Sequence, residues 1–204
     1  DAPDNLDALR RDLARALAII EKKTPEYVKA RDMYEGKAKE IGGSRLEERI
    51  IEQGRATPIS FAHIPVDVIA DKVELAGLTA PEAPARIALE AWADANDLDD
   101  ESGDWIRKAC MFGDYYVVTD PTGLDDRGAF TIEDIDSVGM SPLSTVVVYD
   151  KKTQRVAQYG AHTWDTGSDA APEAKAILYY DDCSVKLVTA VGKGNDAKGY
   201  VLDV

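Results

Sequence analysis

Two histidines, His63 and His162, and two cysteines, Cys110 and Cys183, are the side chains of this sequence best suited to proton transfer or nucleophilic attack near neutral pH. A thiol–imidazole pair would need Cys110 and a histidine within hydrogen-bond reach, and no local signature arranges one. His63 falls in connecting chain and His162 in a strand whose neighbours alternate, so both are expected to be structural. Cys110 sits in a predicted helix and Cys183 beside a predicted hairpin turn, with no Cys-x-x-Cys spacing, which fits a reducing compartment.

Two further stretches invite a ligand. The acidic run Asp94-Ala95-Asn96-Asp97-Leu98-Asp99-Asp100-Glu101 offers the clustered oxygens that a hard cation wants. Its spacing fails the EF-hand pattern, because Leu98 takes the fifth position and Asp99 the sixth, where a glycine must turn. The run is expected to be a helix-terminating, cap-donating linker instead. Gly192-Lys193-Gly194 lacks the full phosphate-loop spacing and has no helix after it to receive a phosphate, so a hairpin turn is expected there. There is no Gly-x-Ser-x-Gly, no His-Glu-x-x-His and no Gly-x-Gly-x-x-Gly. No catalytic, cofactor-binding or metal-binding residue is expected in this chain.

The composition narrows the partners. Lys and Arg number 24 against 38 Asp and Glu, a formal charge of −14, and so negative a surface repels a phosphate backbone at long range. Aromatic residues are not interleaved with Lys and Arg as a single-strand platform requires. At 204 residues, 45% of them hydrophobic, the chain can bury a core as one domain or two small ones. No apolar run approaches the ~18 residues that a bilayer span needs. The chain starts at Asp1 without a Met and reads as a trimmed or fragmentary product.

The elements that would position these residues change character part-way along. Leu6, Leu9, Leu13, Leu17 and Ile20 recur three or four apart and predict an amphipathic first helix with one narrow stripe to dock. Thr24-Pro25 then predicts an N-cap and first turn of a second helix carrying Tyr27, Tyr34, Ala38 and Ile41 and stopped by Gly42-Gly43. Ser44-x-x-Glu47 is a capping box opening a short helix to about Gly54, followed by connecting chain over 56–64. Further helices are predicted over 65–76 with Gly77 as cap, over 81–95 with Ile87, Ala91 and Trp92, and over 100–112 with Trp105, Ile106 and Ala109 as core and Gly113 ending it.

Beyond Gly113 the period falls to two. Strands are predicted over 115–119, 129–135, 145–150, 155–164, 175–180, 185–191 and 199–202, separated by short turns that favour antiparallel pairing. The stretch 165–172 reads as an exposed loop between two of them. Helices first and strands second is the α+β order. It suggests a helical part over 1–113 and a β part over 114–204.

Several of these positions form an ordered series. Met33-Tyr34-Glu35-Gly36 is followed by Val68-Ile69-Ala70-Asp71-Lys72-Val73-Glu74-Leu75-Ala76-Gly77, then Trp92-x-x-x-Asn96-x-Leu98-Asp99 and Ala109-x-x-x-Gly113-Asp114-x-Tyr116-Val117. Ser141-Pro142, Val148-Tyr149-Asp150, Trp164 and Leu178-Tyr179 complete it. Over residues 24 to 180 the series resembles the amino-terminal part of tailed-bacteriophage portal proteins, particularly those of actinobacterial phages and prophages. Its glycines suit close packing or helix ends, Tyr34 and Trp92 suit a core, and Asp71-Lys72 suits a local ion pair.

The resemblance implies a structural subunit of the portal ring, usually twelve-fold, at one capsid vertex of the virion, assembled in the bacterial host cytoplasm. Its partners would be other portal subunits, the major capsid and scaffolding proteins and, through parts of such proteins outside this chain, the terminase and head–tail adaptor. Double-stranded DNA would pass the channel without direct contact by this segment, which matches the wing; stem, clip and crown would follow later. The alternatives are a small intracellular enzyme using Cys110 or a histidine, and an acidic protein-binding module.

Overall fold

The structure, a computed structural model, describes residues 5–37, 61–121, 135–150, 152–153, 155–168, 171–181, 183–190 and 199–203. The chain is α+β, with its helices first and antiparallel strands after them. Among the described residues the helices are α1 (Leu6–Tyr34), α2 (His63–Ala70), α3 (Ala83–Ala95) and α4 (Leu98–Phe112). The strands are β1 (Tyr116–Pro121), β2 (Ile135–Met140), β3 (Thr145–Tyr149), β4 (Ala157–Ser168), β5 (Ala171–Tyr179), β6 (Ser184–Ala190) and β7 (Val201–Leu202). The chain forms two compact units: Asp1–Pro25 with Ser141–Val204, and Glu26–Met140. The boundaries thus fall inside α1 and after β2, not at the change of hydrophobic period near Gly113.

In the first unit the early part of α1 lies on a five-stranded antiparallel meander in the order β3-β4-β5-β6-β7. Leu9, Leu13, Ala16 and Ile20, the stripe legible in the sequence, form one core with Val146, Val148, Tyr159, Ala161, Ala174, Ala176, Leu178, Leu187 and Tyr200. Strand alternation supplies the sheet side of this core: Ala174, Ala176 and Leu178 point in, and Lys175, Ile177 and Tyr179 point to the other face. Ala16, Ala161 and Ala176 are fully buried, and such small side chains bring helix and sheet close.

Polar groups fix the helix on the sheet. The Tyr159 and Tyr180 hydroxyls donate to the Asp12 carbonyl at 2.9 Å and its carboxylate at 3.0 Å. Arg10 Nε donates to the Tyr200 carbonyl at 2.8 Å, and Arg15 reaches the Gln158 side chain at 2.8 Å and the Tyr149 carbonyl at 3.0 Å. Burial, then the neighbouring Asp12 carboxylate, pushes the Tyr159 phenol up to about 12, and burial with the hydrogen bond to Asp12 raises that of Tyr180.

The predicted break at Thr24-Pro25 does not occur, for α1 is a single helix with Pro25 inside it. Proline has no N–H for the carbonyl four residues back. The Thr24 hydroxyl, rather than capping a new helix, donates to the Ile20 carbonyl at 2.8 Å. Burial overrides the local stop signal: Ile20 and Tyr27, two turns apart, are both buried, so the apolar stripe keeps its phase across the proline.

The second unit holds the rest of α1, the helices α2 to α4 and the β1–β2 hairpin, paired from Tyr116↔Met140 to Pro121↔Ile135. α2 starts at His63, inside the expected connecting chain, because a proline in the first helical turn, here Pro65, forfeits no intrahelical bond. It also ends at Ala70 rather than Ala76, and Gly77 lies beyond it at φ +110 instead of capping it. Gly113 does cap α4 in the left-handed region, as expected. The core residues expected in α3 and α4 are less buried than their spacing implied: Trp105, Ile106 and Ala109 are half-buried and Ile87 is exposed, while Leu98 and Ser102 are buried.

Within the expected loop over 165–172, residues 165–168 and 171–172 are strand, with Asp165↔Ala174 through Ser168↔Ala171 extending the β4–β5 ladder. The long flanking strands fix the register, and the ladder continues through residues of poor strand propensity. The expected features at 38–60, at 122–134 and at 192–195 lie outside the described residues.

Two outcomes follow. Leu13→Ala, at a fully buried site, destabilises the protein by about 2–5 kcal/mol in chemical denaturation, whereas Ile87→Ala, exposed on α3, costs under about 0.5 kcal/mol. Because Tyr159 and Tyr180 ionise less readily folded than unfolded, their contribution to stability is complete below pH ~10 and is lost as pH rises toward 12. Tyrosinate absorbance should therefore show a delayed fraction that shrinks in Tyr159→Phe.

Candidate functional site

Helix α3 ends where Asn96 turns its side chain back on the chain. Its Nδ2 donates to the Trp92 carbonyl, which also accepts the Asn96 N–H, and to the Ile135 carbonyl of β2, both at 2.9 Å, while its Oδ1 accepts the Ser137 N–H at 2.6 Å. One amide thus ends a helix and holds a strand. Asp97 follows at φ 47, a left-handed residue that lets α4 begin at once. Asp99, Asp100 and Glu101 occupy the first turn of α4, where its positive end favours carboxylates. The acidic run therefore does terminate one helix and open the next, but Asp97 makes no side-chain cap bond, and Asn96 does the clamping.

Between this corner and the hairpin lies a hollow of about 340 Å³. Asp97, Glu101, Trp105 and Lys108 line the helix side, with Tyr115 next to them, and Asp136 to Gly139 of β2 line the other. Gly139 permits the close approach of these walls: a Cβ there would stand 2.6 Å from Trp105 Nε1 and 2.7 Å from the Tyr115 hydroxyl. Lys108 pairs with Asp104 and lies 5.6 Å over the Tyr115 ring. The hydrogen bond to Asp104 is the main cause of its raised pKa.

A second polar group ties three helices of this unit together. The Tyr34 hydroxyl at the end of α1 donates to Asp67 of α2 at 2.8 Å, and Arg107 of α4 reaches Asp67 at 3.3 Å and Asp71 at 3.2 Å. Asp71 thus pairs with Arg107 rather than with Lys72, its expected partner, because α4 lies within reach of both carboxylates. Burial first, then the bond to Asp67, raises the Tyr34 phenol. These side chains are partly exposed, so each ion pair is worth under about 1 kcal/mol, and the group sets register more than stability. Tyr27 adds an edge-on contact with Phe112 and a hydrogen bond to Asp114.

The residues best suited to chemistry are not among those lining the hollow. His63 opens α2 with its ring edge-on to Tyr34. His162 bonds Thr145 at 2.8 Å, stacks on Trp164 at 5.0 Å, and is held below the usual histidine range by its half-buried position. Cys110 is exposed on α4, Cys183 is exposed between β5 and β6, and neither is in a disulfide. Among the described residues no group of three or more His, Cys, Asp or Glu could hold a metal ion, and no helix is long and apolar enough to cross a membrane. The hollow was not foreseen, since its walls come from positions some forty residues apart; Asn96 and the aromatic pair Trp105 and Tyr115 were visible only as single residues.

No protein-family model and no curated protein sequence matches the chain.

Gly139→Ala tests the close approach. The added methyl group meets the indole and the phenol, so the variant should lose about 1–3 kcal/mol of stability and shift the Trp105 indole N–H resonance. An unchanged indole signal would mean that the walls do not meet at Gly139.

Proposed function

We propose that this chain is the wing portion of a tailed-phage portal protein, a structural subunit of the ring at one capsid vertex through which DNA is packaged and ejected and to which the tail attaches. The observation that carries this reading is the backbone beneath the ordered series. Gly36, Gly77 and Gly113, the three glycines singled out in that series, take φ of +72, +110 and +82, and they are the positive-φ glycines among the described residues. Only glycine adopts such angles without strain, so the spacing encodes chain direction rather than chemistry.

Other members of the series support it in the same way. Tyr34 and Asp71 belong to the Arg107 group, Asn96 clamps β2, Asp114 receives Tyr27, and Leu178 is fully buried in the sheet. Each has an architectural task, as expected of an assembly subunit. The −14 charge suits a wall that does not grip passing DNA. In this reading the chain associates with further copies of itself, with capsid and scaffolding proteins, and through other segments with terminase and adaptor, and it performs no chemistry.

Negative-stain imaging of the product of the complete reading frame tests the proposal. Rings with a central hole are expected. A product that stays monomeric and never forms such rings overturns it.

A further inference from the structure

We infer that the outward face of α2 is covered by α2 of a second copy of this chain, the two helices running antiparallel about a two-fold axis. The amphipathicity of α2 is inverted. Its inward side carries His63, edge-on to Tyr34, Asp67, bonded to Tyr34 and Arg107, and the buried Ala70. Its outward side carries Ile64, Pro65, Val68 and Ile69. The flanking turns add Phe61 and Lys72, since the Ile64 N–H donates to the Phe61 carbonyl and the Lys72 N–H to the Ile69 carbonyl. Phe61 is 66% exposed, Ile64 45%, Val68 47% and Ile69 52%. Single apolar side chains at a surface need no cover, but Phe61, Ile64 and Val68 recur at i, i+3 and i+7 and so share one arc. A helix that is apolar on the side turned away from its own unit is completed by burial in an assembly.

Charge and symmetry select the occupant. Over 61–72 the acids are Asp67 and Asp71, both tied to Arg107, so this stretch offers no unpaired carboxylate. Two copies of a chain with net charge −14 repel over most approaches and can meet where such acids are missing. Lys72 has no ion pair among the described residues and stands about three helical turns from the exposed Phe61 ring. An ammonium at one end of a stripe and an aromatic ring at the other complement each other when two stripes run antiparallel, the arrangement a two-fold axis imposes. Ile64 of one copy then meets Val68 of the other. The outward side chains offer on the order of 500 Å² per copy against about 800 Å² in a standard interface, so the pair is weak, with a Kd on the order of 100 µM. A ring arranges its copies head to tail, so the two-fold pair is a form of the chain outside any ring. The inference does not rest on the ring reading, and the two fail separately.

Sedimentation equilibrium of the full chain from about 10 µM to 1 mM tests the pairing. A monomer–dimer equilibrium is expected, and in nuclear magnetic resonance spectra the amide signals of Ile64, Val68 and Ile69 should move with concentration while that of Leu13 stays fixed. Ile64→Ser and Val68→Ser should each weaken the dimer about tenfold, and Lys72→Glu about fivefold. Added salt, which screens the repulsion between two negative chains, should tighten it. Circular dichroism checks the fold of each variant, and Lys72→Glu, beyond the end of the helix, decides the matter if the serine variants unfold. A chain monomeric throughout overturns the pairing and leaves the face to a different partner. A dimer indifferent to the folded variants, or one that salt weakens, overturns it as well; a dimer lost in the serine variants but untouched by Lys72→Glu overturns the antiparallel arrangement.

Discussion

The first unit depends on one burial event, the closure of the α1 stripe over the sheet. Leu9, Leu13, Ala16 and Ile20 are buried in one core with the inward residues of β3 to β6. An amphipathic helix of this kind owes most of its stability to such packing rather than to its own propensity. The tyrosine bonds to Asp12 and the reach of Arg10 and Arg15 then select one orientation among those that burial alone would permit.

The second unit works by a different balance. Among its described residues the buried ones are Tyr27, Ala70, Leu98 and Ser102, and side chains that bridge elements tie it together. Asn96 holds three partners and Arg107 two, and Gly139 lets two aromatic side chains close on a strand. Ile64, Val68, Ile69 and Ile87 remain exposed.

What the sequence made legible was periodicity. The α1 stripe, the switch to alternation after Gly113 and the strands over 145–149 and 184–190 all follow from side-chain spacing, which is a local property. What misled was local punctuation read without its tertiary setting. Thr24-Pro25 carries a helix-start signal that burial on both sides overrides, and the polar run after Trp164 is held in a ladder by its flanking strands. The hollow was illegible for another reason: Asp136 and Glu101 carry no mutual signal in sequence, and only the folding of the hairpin against the α3–α4 corner brings them to one cavity.

The interruption of the first unit by the second has a kinetic meaning. Residues 1–25 are made before the second unit, yet the sheet that covers their stripe is made after it. During synthesis the apolar face of α1 must therefore wait, exposed, until β3 to β6 emerge, while the continuous segment 26–140 can fold on its own schedule. Closing so long a loop slows the final step more than it weakens the product. The stripe of α1 is thus made before the segment 26–140 and buried only after it, and in that interval it is open to aggregation.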